Sequence, residues 1–140
     1  MPIKRSEAAT WFVETAKILQ QSCFQGQQDI PACQIKDIAT LSQEQQSIIK
    51  QACACNYLKG NNGSFEPDSY LSKASAIVAL LRGRLGESQF QMQTGQKYRD
   101  PYVSYAYQAG ITKSSQIEYL QYLVTNYELV MMLWRAREIK

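Results

Sequence analysis

The sequence predicts an all-α domain in which helix-pair repeats, joined by short connecting turns, pack around an approximately threefold core. The prediction depends on two long stretches, residues 45–84 and residues 100–137, which repeat each other at a spacing of about 54 residues. Residues 3–16 align with residues 71–84 and add half of a third copy. Repeated units that cannot each bury an apolar face alone are expected to stack around a shared core.

The repeats divide the chain within a single domain. A chain of 140 residues has the size at which one core forms and a second is not expected. We predict one domain at residues 1–140, made of the second helix of unit 1 (residues 3–22), an inserted loop (23–34), unit 2 (35–86) and unit 3 (90–138). Because unit 1 lacks its opening helix, that helix is expected from an upstream segment or from another chain.

The first two helices follow from side-chain spacing and capping residues. The first is predicted from about Ser6 to Gln21, with one buried face formed by Ala8, Trp11, Phe12, Thr15, Ile18 and Leu19. The second is predicted from Ser42 to Asn56, because Ser42 and Gln45 have capping-box spacing and asparagine tolerates the left-handed conformation at a helix end. Gly110 aligns with Asn56, so both copies are expected to end this helix alike.

The remaining three helices also begin at local signals. Ser72 is predicted to cap the third helix, and the fourth begins near Asp100 with Pro101 in its first turn. Thr125 and Glu128 have the spacing of a capping box that opens the fifth helix. The fifth helix is expected to bury Leu129, Val130, Met132, Leu133 and Trp134. Trp11 and Trp134 are both expected in the core or in a groove wall.

Composition and charge make several classes of protein improbable. No apolar run approaches the roughly 20 residues that span a bilayer. The net charge of +3 comes from scattered basic residues, which do not form the stripe that binds nucleic acid. The chain has no histidine, no glycine-rich phosphate loop and no evident pair of carboxylates, so neither an enzyme nor a cofactor is expected. The cysteine spacing disfavours a zinc site, and we expect no metal.

Four cysteines, Cys23, Cys33, Cys53 and Cys55, form an even set that suits disulfide bonding in an oxidising compartment. Cys53 and Cys55 lie two residues apart on a predicted helix and point about 200° apart, so they are not expected to bridge each other. Two arrangements remain. We favour a Cys23–Cys33 bridge that closes the inserted loop; in the other arrangement both residues reach across to the helix that carries Cys53 and Cys55.

The order of motifs along the repeats resembles that of the S-layer homology domain, a bacterial surface module that normally has three repeats. Unit 2 matches it best, with Ile35, Asp37, Ile49, Ala52, the G-x-F-x-P turn at residues 63–67 and a box of aliphatic-Ser-Lys-Ala-Ser at residues 71–75. Unit 3 keeps Phe90, Tyr98, Ala106, Gly110-Ile111 and the box at residues 124–128 but lacks the turn. Unit 1 keeps only the box at residues 3–7 and the helix that follows it.

The resemblance implies a non-catalytic module that binds cell-wall polysaccharide in grooves between repeats. The basic residue of the family box corresponds to Arg5, Lys73 and Asn126, so the third groove is expected to be weak. Arg5 and Lys73 are either ligand contacts or solvated surface charges. Tyr98 stands at the family's aromatic platform position, and Gly63 belongs to the G-x-F-x-P turn. The candidate glycan-binding residues are therefore Arg5, Lys73, Tyr98 and Gly63.

The same resemblance implies an extracellular location on the bacterial cell surface, with cell-wall polysaccharide as the partner. Self-association, or docking of a neighbouring half-repeat, is the second expected interaction. The alternative function is a structural subunit of a surface layer or filament, in which the repeats mediate contacts between proteins.

Overall fold

The computed structural model describes residues 1–21, 23, 33–113 and 120–139. These residues contain five helices and no β-strand: α1 (Arg5–Ile18), α2 (Gln43–Ala54), α3 (Lys73–Leu85), α4 (Asp100–Gln108) and α5 (Asn126–Arg135). The all-α prediction is thereby confirmed. Most of the predicted inserted loop, and residues 114–119 of predicted unit 3, lie outside the described residues.

The helices begin at the predicted caps. The side-chain oxygens of Ser42, Ser72 and Thr125 each accept a hydrogen bond at 3.1 Å from the backbone N–H three residues later. Ser42 and Thr125 belong to complete capping boxes, because the side chain at the third helical position returns to the cap N–H. These bonds satisfy amide donors that the first turn of a helix leaves without an internal partner.

The chain forms two compact units, an N-terminal unit (Lys4–Ser69) and a C-terminal unit (Met1–Ile3 with Tyr70–Lys140). In the N-terminal unit α1 packs against α2. The rings of Phe12 and Tyr57 stack there with their centroids 4.9 Å apart, and both side chains are fully buried. Asn56, which follows the C-cap of α2, has a φ of 69°, so the predicted left-handed helix end is confirmed.

Two disulfides secure the N-terminal unit, and they correct the favoured pairing. Cys23 bonds Cys55 and Cys33 bonds Cys53, so the predicted Cys23–Cys33 bridge is wrong. The second arrangement considered, in which both residues reach the helix carrying Cys53 and Cys55, is the one formed. Cys53 lies in the last turn of α2 and Cys55 is its C-cap, so both bridges attach at the end of this helix.

A tight turn at Asn62-Gly63 lies in the N-terminal unit. Both residues have positive φ values, 54° and 84°, as a type I′ turn requires. Asn61 and Ser64 exchange two backbone hydrogen bonds across the turn. The carboxylate of Asp37 then accepts bonds from the backbone N–H groups of Phe65 and Glu66, each at 2.8 Å. Asp37 therefore links the segment that precedes α2 to the residues that follow the 62–63 turn.

In the C-terminal unit, α3 packs against α4 and α5. Every residue of α3 from Lys73 to Leu81 except Ser75 is buried. This part of the helix is therefore covered on nearly all sides. Phe90 stacks on Tyr102 of α4 with a centroid distance of 4.3 Å. Gly110 has a φ of 77°, so α4 ends in the same way as α2.

A closed ring of three backbone hydrogen bonds joins Ile3, Leu71 and Val124 in the C-terminal unit. Ile3 donates to Val124 at 3.0 Å, Val124 donates to Leu71 at 2.7 Å, and Leu71 donates to Ile3 at 3.1 Å. Each residue lies two positions before the first residue of a helix, α1, α3 or α5. All three side chains are buried, so the ring sits inside the apolar core.

The sequence patterns were less accurate about which helix face is buried. On α1 the buried residues include Ala9, Val13 and Ala16, whereas Ile18 is 79% exposed. Trp11 is 37% exposed and Trp134 is 58% exposed, so neither lies in the core. On α5 only Leu129 and Met132 are buried.

Removal of either disulfide is expected to destabilise the protein. Cys33→Ala with Cys53→Ala opens a loop of 20 residues and should lower the free energy of unfolding by about 3 kcal/mol, because the unfolded chain regains entropy. Cys23→Ala with Cys55→Ala opens a 32-residue loop and should cost slightly more. Urea unfolding measures both effects. Peptide mapping without reduction checks the pairing, and a Cys23–Cys33 peptide would contradict the structure.

Amide hydrogen exchange should reveal the buried ring. The N–H groups of Ile3, Leu71 and Val124 are expected to exchange far more slowly than that of Ser64, which is also hydrogen-bonded but lies in an exposed turn. NMR exchange rates measure the difference. Exchange at Leu71 or Val124 as fast as at Ser64 would show that the ring does not form.

Candidate functional site

Arg5, the first predicted ligand cation, is engaged within the N-terminal unit. Its Nε donates to the carbonyl of Phe65 at 2.8 Å, and Nη2 donates to the carbonyl of Lys59 at 3.1 Å. The guanidinium carbon also lies 4.8 Å from the centre of the Phe65 ring, within range for a cation–π interaction. Arg5 therefore fastens the residues on both sides of the 62–63 turn to the start of α1.

Lys73, the second predicted cation, is engaged within the C-terminal unit. Its side chain is 9% exposed, and Nζ lies 3.0 Å from Oε2 of Glu128. Nζ also lies 5.7 Å from the centre of the Tyr122 ring. The backbone repeats an Arg5 contact as well: Arg5 N–H donates to Ser69 at 2.8 Å, and Lys73 N–H donates to Tyr122 at 2.9 Å. Both cations thus have internal partners.

Glu128 links this ion pair to the start of α5. Its partial burial raises the pKa, but hydrogen bonds from Lys73 and from Thr125 outweigh that effect, so the pKa of Glu128 lies below its usual value. One carboxylate oxygen accepts from the Thr125 N–H at 3.0 Å and the other contacts Lys73. The capping carboxylate of α5 is therefore also the counter-ion of the first residue of α3.

Tyr98 and Gly63, the other two predicted ligand residues, lie in different units. Tyr98 is 49% exposed, its ring is 5.5 Å from that of Tyr102, and the two hydroxyl oxygens are 3.5 Å apart. Burial, together with the hydrogen bond shared with Tyr98, raises the pKa of Tyr102. Gly63 supplies the positive φ of its turn. Arg5 and Gly63 thus belong to the N-terminal unit, and Lys73 and Tyr98 to the C-terminal unit.

A groove with a different set of residues runs beside α4 in the C-terminal unit. Its volume is about 360 Å³, within the range of small-molecule sites. It is lined by Gln96, Arg99, Asp100, Val103, Ser104, Tyr107 and Leu120. Asp100, Ser104 and Tyr107 follow each other at helical spacing and share one face of α4. Tyr102 and Ala106 lie on the opposite face of α4 and are buried. The face that carries Ser104 and Tyr107 is therefore turned toward the solvent.

The groove combines an aromatic ring, a guanidinium and several polar side chains. Tyr107 is 52% exposed and offers an aromatic surface on which a sugar ring can stack. Arg99 supplies a guanidinium, which can hold a carboxylate through two parallel hydrogen bonds. Gln96, Asp100 and Ser104 supply amide, carboxylate and hydroxyl groups that can bond sugar hydroxyls. This set of groups is suited to binding a polar ligand.

The sequence patterns did not predict this groove, although one signal for it was present. The repeat alignment indicated Tyr98 instead, whose counterpart in the family is an aromatic platform. The helical spacing of Asp100, Ser104 and Tyr107, opposite an apolar Tyr102–Ala106 face, could have indicated an exposed polar and aromatic stripe. Gln96 precedes α4, so its place in the groove could be seen only in the structure.

Comparisons of the chain with protein-family models, curated proteins and solved structures found no match. The S-layer homology assignment therefore stays a prediction from the motifs. In the part of the chain that the structure describes, no helix is long and apolar enough to cross a membrane. The same residues contain no group of three or more His, Cys, Asp or Glu side chains that could hold a metal ion.

The Lys73–Glu128 pair should make stability depend on pH. Because the folded-state pKa of Glu128 is depressed, the pair stabilises the fold above the ordinary glutamate pKa of about 4.3, and this contribution is lost as the pH falls through the depressed value. Lys73→Met should cost about 2 kcal/mol at pH 7, because it leaves a partly buried carboxylate without its cation. The cost should shrink at pH 3.

Lys50→Met is the matched control, because Lys50 is exposed on α2. Urea unfolding of the wild type and both variants at pH 7 and pH 3 measures the effect. Equal stability changes for Lys73→Met and Lys50→Met at both pH values would contradict a structural role for the ion pair.

Proposed function

We propose that this protein is a non-catalytic anchoring module of the bacterial cell surface that binds acidic cell-wall polysaccharide. The observation that carries the proposal is the groove beside α4, where Tyr107 and Arg99 lie together with three hydrogen-bonding side chains. An aromatic surface beside a guanidinium matches a sugar ring that bears a carboxylate. The two disulfides agree with an extracellular location, since such bonds persist in oxidising compartments.

The ring of Ile3, Leu71 and Val124 supports an approximately threefold arrangement of the repeats. These three residues occupy the same position in the three copies of the aliphatic box, as the alignment of Arg5, Lys73 and Asn126 requires. Each one donates one backbone hydrogen bond and accepts one within the ring. Equivalent residues joined in a closed cycle are what a threefold packing of helix starts would produce.

In this proposal Arg5 and Lys73 stabilise the fold through internal contacts and are not the main ligand-binding residues. Arg5 uses two N–H groups on backbone carbonyls, and Lys73 is paired with Glu128. A glycan carboxylate at Lys73 would have to compete with a protein carboxylate at 3.0 Å. Arg99 is therefore the stronger choice for the residue that binds the anionic group.

A structural subunit of a surface layer or filament is the second candidate function. The observation in its favour is a set of large apolar side chains exposed on and just before α5, namely Tyr122, Leu123, Tyr127 and Trp134. Surface apolar side chains grouped in this way are typical of contacts between proteins. Glycan binding by the isolated chain separates the two candidates.

Calorimetry with purified, carboxylate-bearing wall polysaccharide tests the binding function. Arg99→Ala and Tyr107→Ala should each weaken binding about tenfold or more, because they remove the charged clamp and the stacking surface. Neutral wall polysaccharide, chemically reduced at its carboxylates, should bind the wild type more weakly and should no longer distinguish it from Arg99→Ala.

Tyr98→Ala is the matched control for Tyr107→Ala, because both tyrosines are about half exposed in the same unit. Binding that is weakened by Tyr98→Ala but unchanged by Tyr107→Ala would move the site to the position expected from the family. Absence of saturable binding to either polysaccharide would overturn the anchoring function.

A further inference from the structure

Three large apolar side chains lie on one face of α5; two of them are exposed and the third, Met131, is partly buried. Tyr127, Met131 and Trp134 are spaced four and three residues apart, so they form one stripe along the helix. Tyr127 is 73% exposed and Trp134 is 58% exposed. Trp134 keeps this exposure although the guanidinium of Arg137 lies 3.7 Å from the centre of its ring.

The equivalent stripe on α3 is covered. The repeat alignment that pairs Lys73 with Asn126 places Ala74, Val78 and Leu81 at the positions of Tyr127, Met131 and Trp134. All three α3 residues are buried. The same helix position is thus a packed interface in α3 and a largely open surface in α5, where the side chains are larger.

Charges of opposite sign flank the α5 stripe. A cleft of about 140 Å³ beside it is lined by Ile111, Thr112, Lys113, Tyr127, Glu128, Met131, Met132 and Arg135. Glu128 lies in the first turn of α5 and Arg135 in its last turn. Each also has an internal partner, since Glu128 pairs with Lys73 and Arg135 donates through Nη1 to the Ile111 carbonyl, so a second copy would add to these contacts. When two copies of α5 lie antiparallel, Glu128 of each faces Arg135 of the other, and the helix dipoles are also opposed. The stripe is therefore complementary to itself.

We propose that α5 is the contact surface of a homodimer in which the Tyr127–Met131–Trp134 stripes of two copies pack antiparallel about a twofold axis. Such an axis brings the same patch of both copies together. Met131, at the middle of the stripe, then lies against Met131 of the second copy, and Tyr127 lies against Trp134. Tyr122 and Leu123, which are exposed just before α5, widen the apolar patch toward the area that a specific interface requires.

The proposed dimer contact lies on α5 and does not depend on glycan binding in the α4 groove. Each surface can therefore be lost without the other, and the variants below lie outside the α4 groove. An amphipathic helix from a different protein is the competing occupant of the α5 face. Its chemistry is similar, but it would leave the purified chain monomeric.

Analytical ultracentrifugation of the full chain between about 1 and 200 µM tests the proposal. The wild type should show a concentration-dependent monomer–dimer equilibrium. Tyr127→Ser with Trp134→Ser should raise the dissociation constant about tenfold or more, because exposed aromatic anchors dominate such interfaces. Tyr70→Ser with Met92→Ser removes apolar side chains of comparable exposure from the same unit and should leave the equilibrium unchanged.

A cross-linking variant tests the antiparallel geometry separately. Met131→Cys should form a disulfide-linked dimer under mild oxidation, whereas Tyr127→Cys should not, because its counterpart in the second copy is Trp134. Far-UV circular dichroism confirms that each variant is folded before it is scored. A wild type that stays monomeric over the whole range would overturn the proposal, as would a dimer that both double variants weaken equally.

Discussion

The ring of backbone hydrogen bonds among Ile3, Leu71 and Val124 is the constraint on which the core of the C-terminal unit depends. A buried N–H or C=O group without a partner costs about as much as a lost hydrogen bond. Each of the three segments supplies one donor and one acceptor, so displacing any one of them leaves two unpaired groups in the core. The segments that contain Ile3, Leu71 and Val124 must therefore lie side by side in the C-terminal unit, although they are far apart in sequence.

The sequence was informative wherever the controlling interaction is local. Ser42, Ser72 and Thr125 cap helices through bonds to residues three positions later, and Asn56 and Gly110 adopt positive φ for reasons contained in the residue itself. The buried face of α1 and the pairing of Cys23 with Cys55 are set by partners elsewhere in the chain. Periodicity selects a helix face only approximately when alanines such as Ala9 and Ala16 form much of the contact, because they carry little hydrophobic signal.

The candidate site shows the same division. Alignment of the repeats selected Arg5 and Lys73 as candidate ligand residues, but residue type alone does not reveal what a cation contacts. The carbonyls of Phe65 and Lys59 and the carboxylate of Glu128 reach these side chains only through the fold. The positive charge accessible beside α4 belongs instead to Arg99, at the N-terminus of a helix. A basic position can therefore recur in repeats because it fastens the next segment, whether or not a ligand binds there.

The disulfides have a consequence for how this chain can change over evolution. Cys23 and Cys33 are fastened to positions two residues apart at the end of one helix, so the anchor points of the intervening segment are set by α2. Because the entropy of closing a loop rises only slowly with its length, insertions or replacements between those anchors should cost the fold little. The N-terminal unit thus contains a position at which new sequence, such as an epitope or a second recognition loop, can be grafted without redesigning the helices.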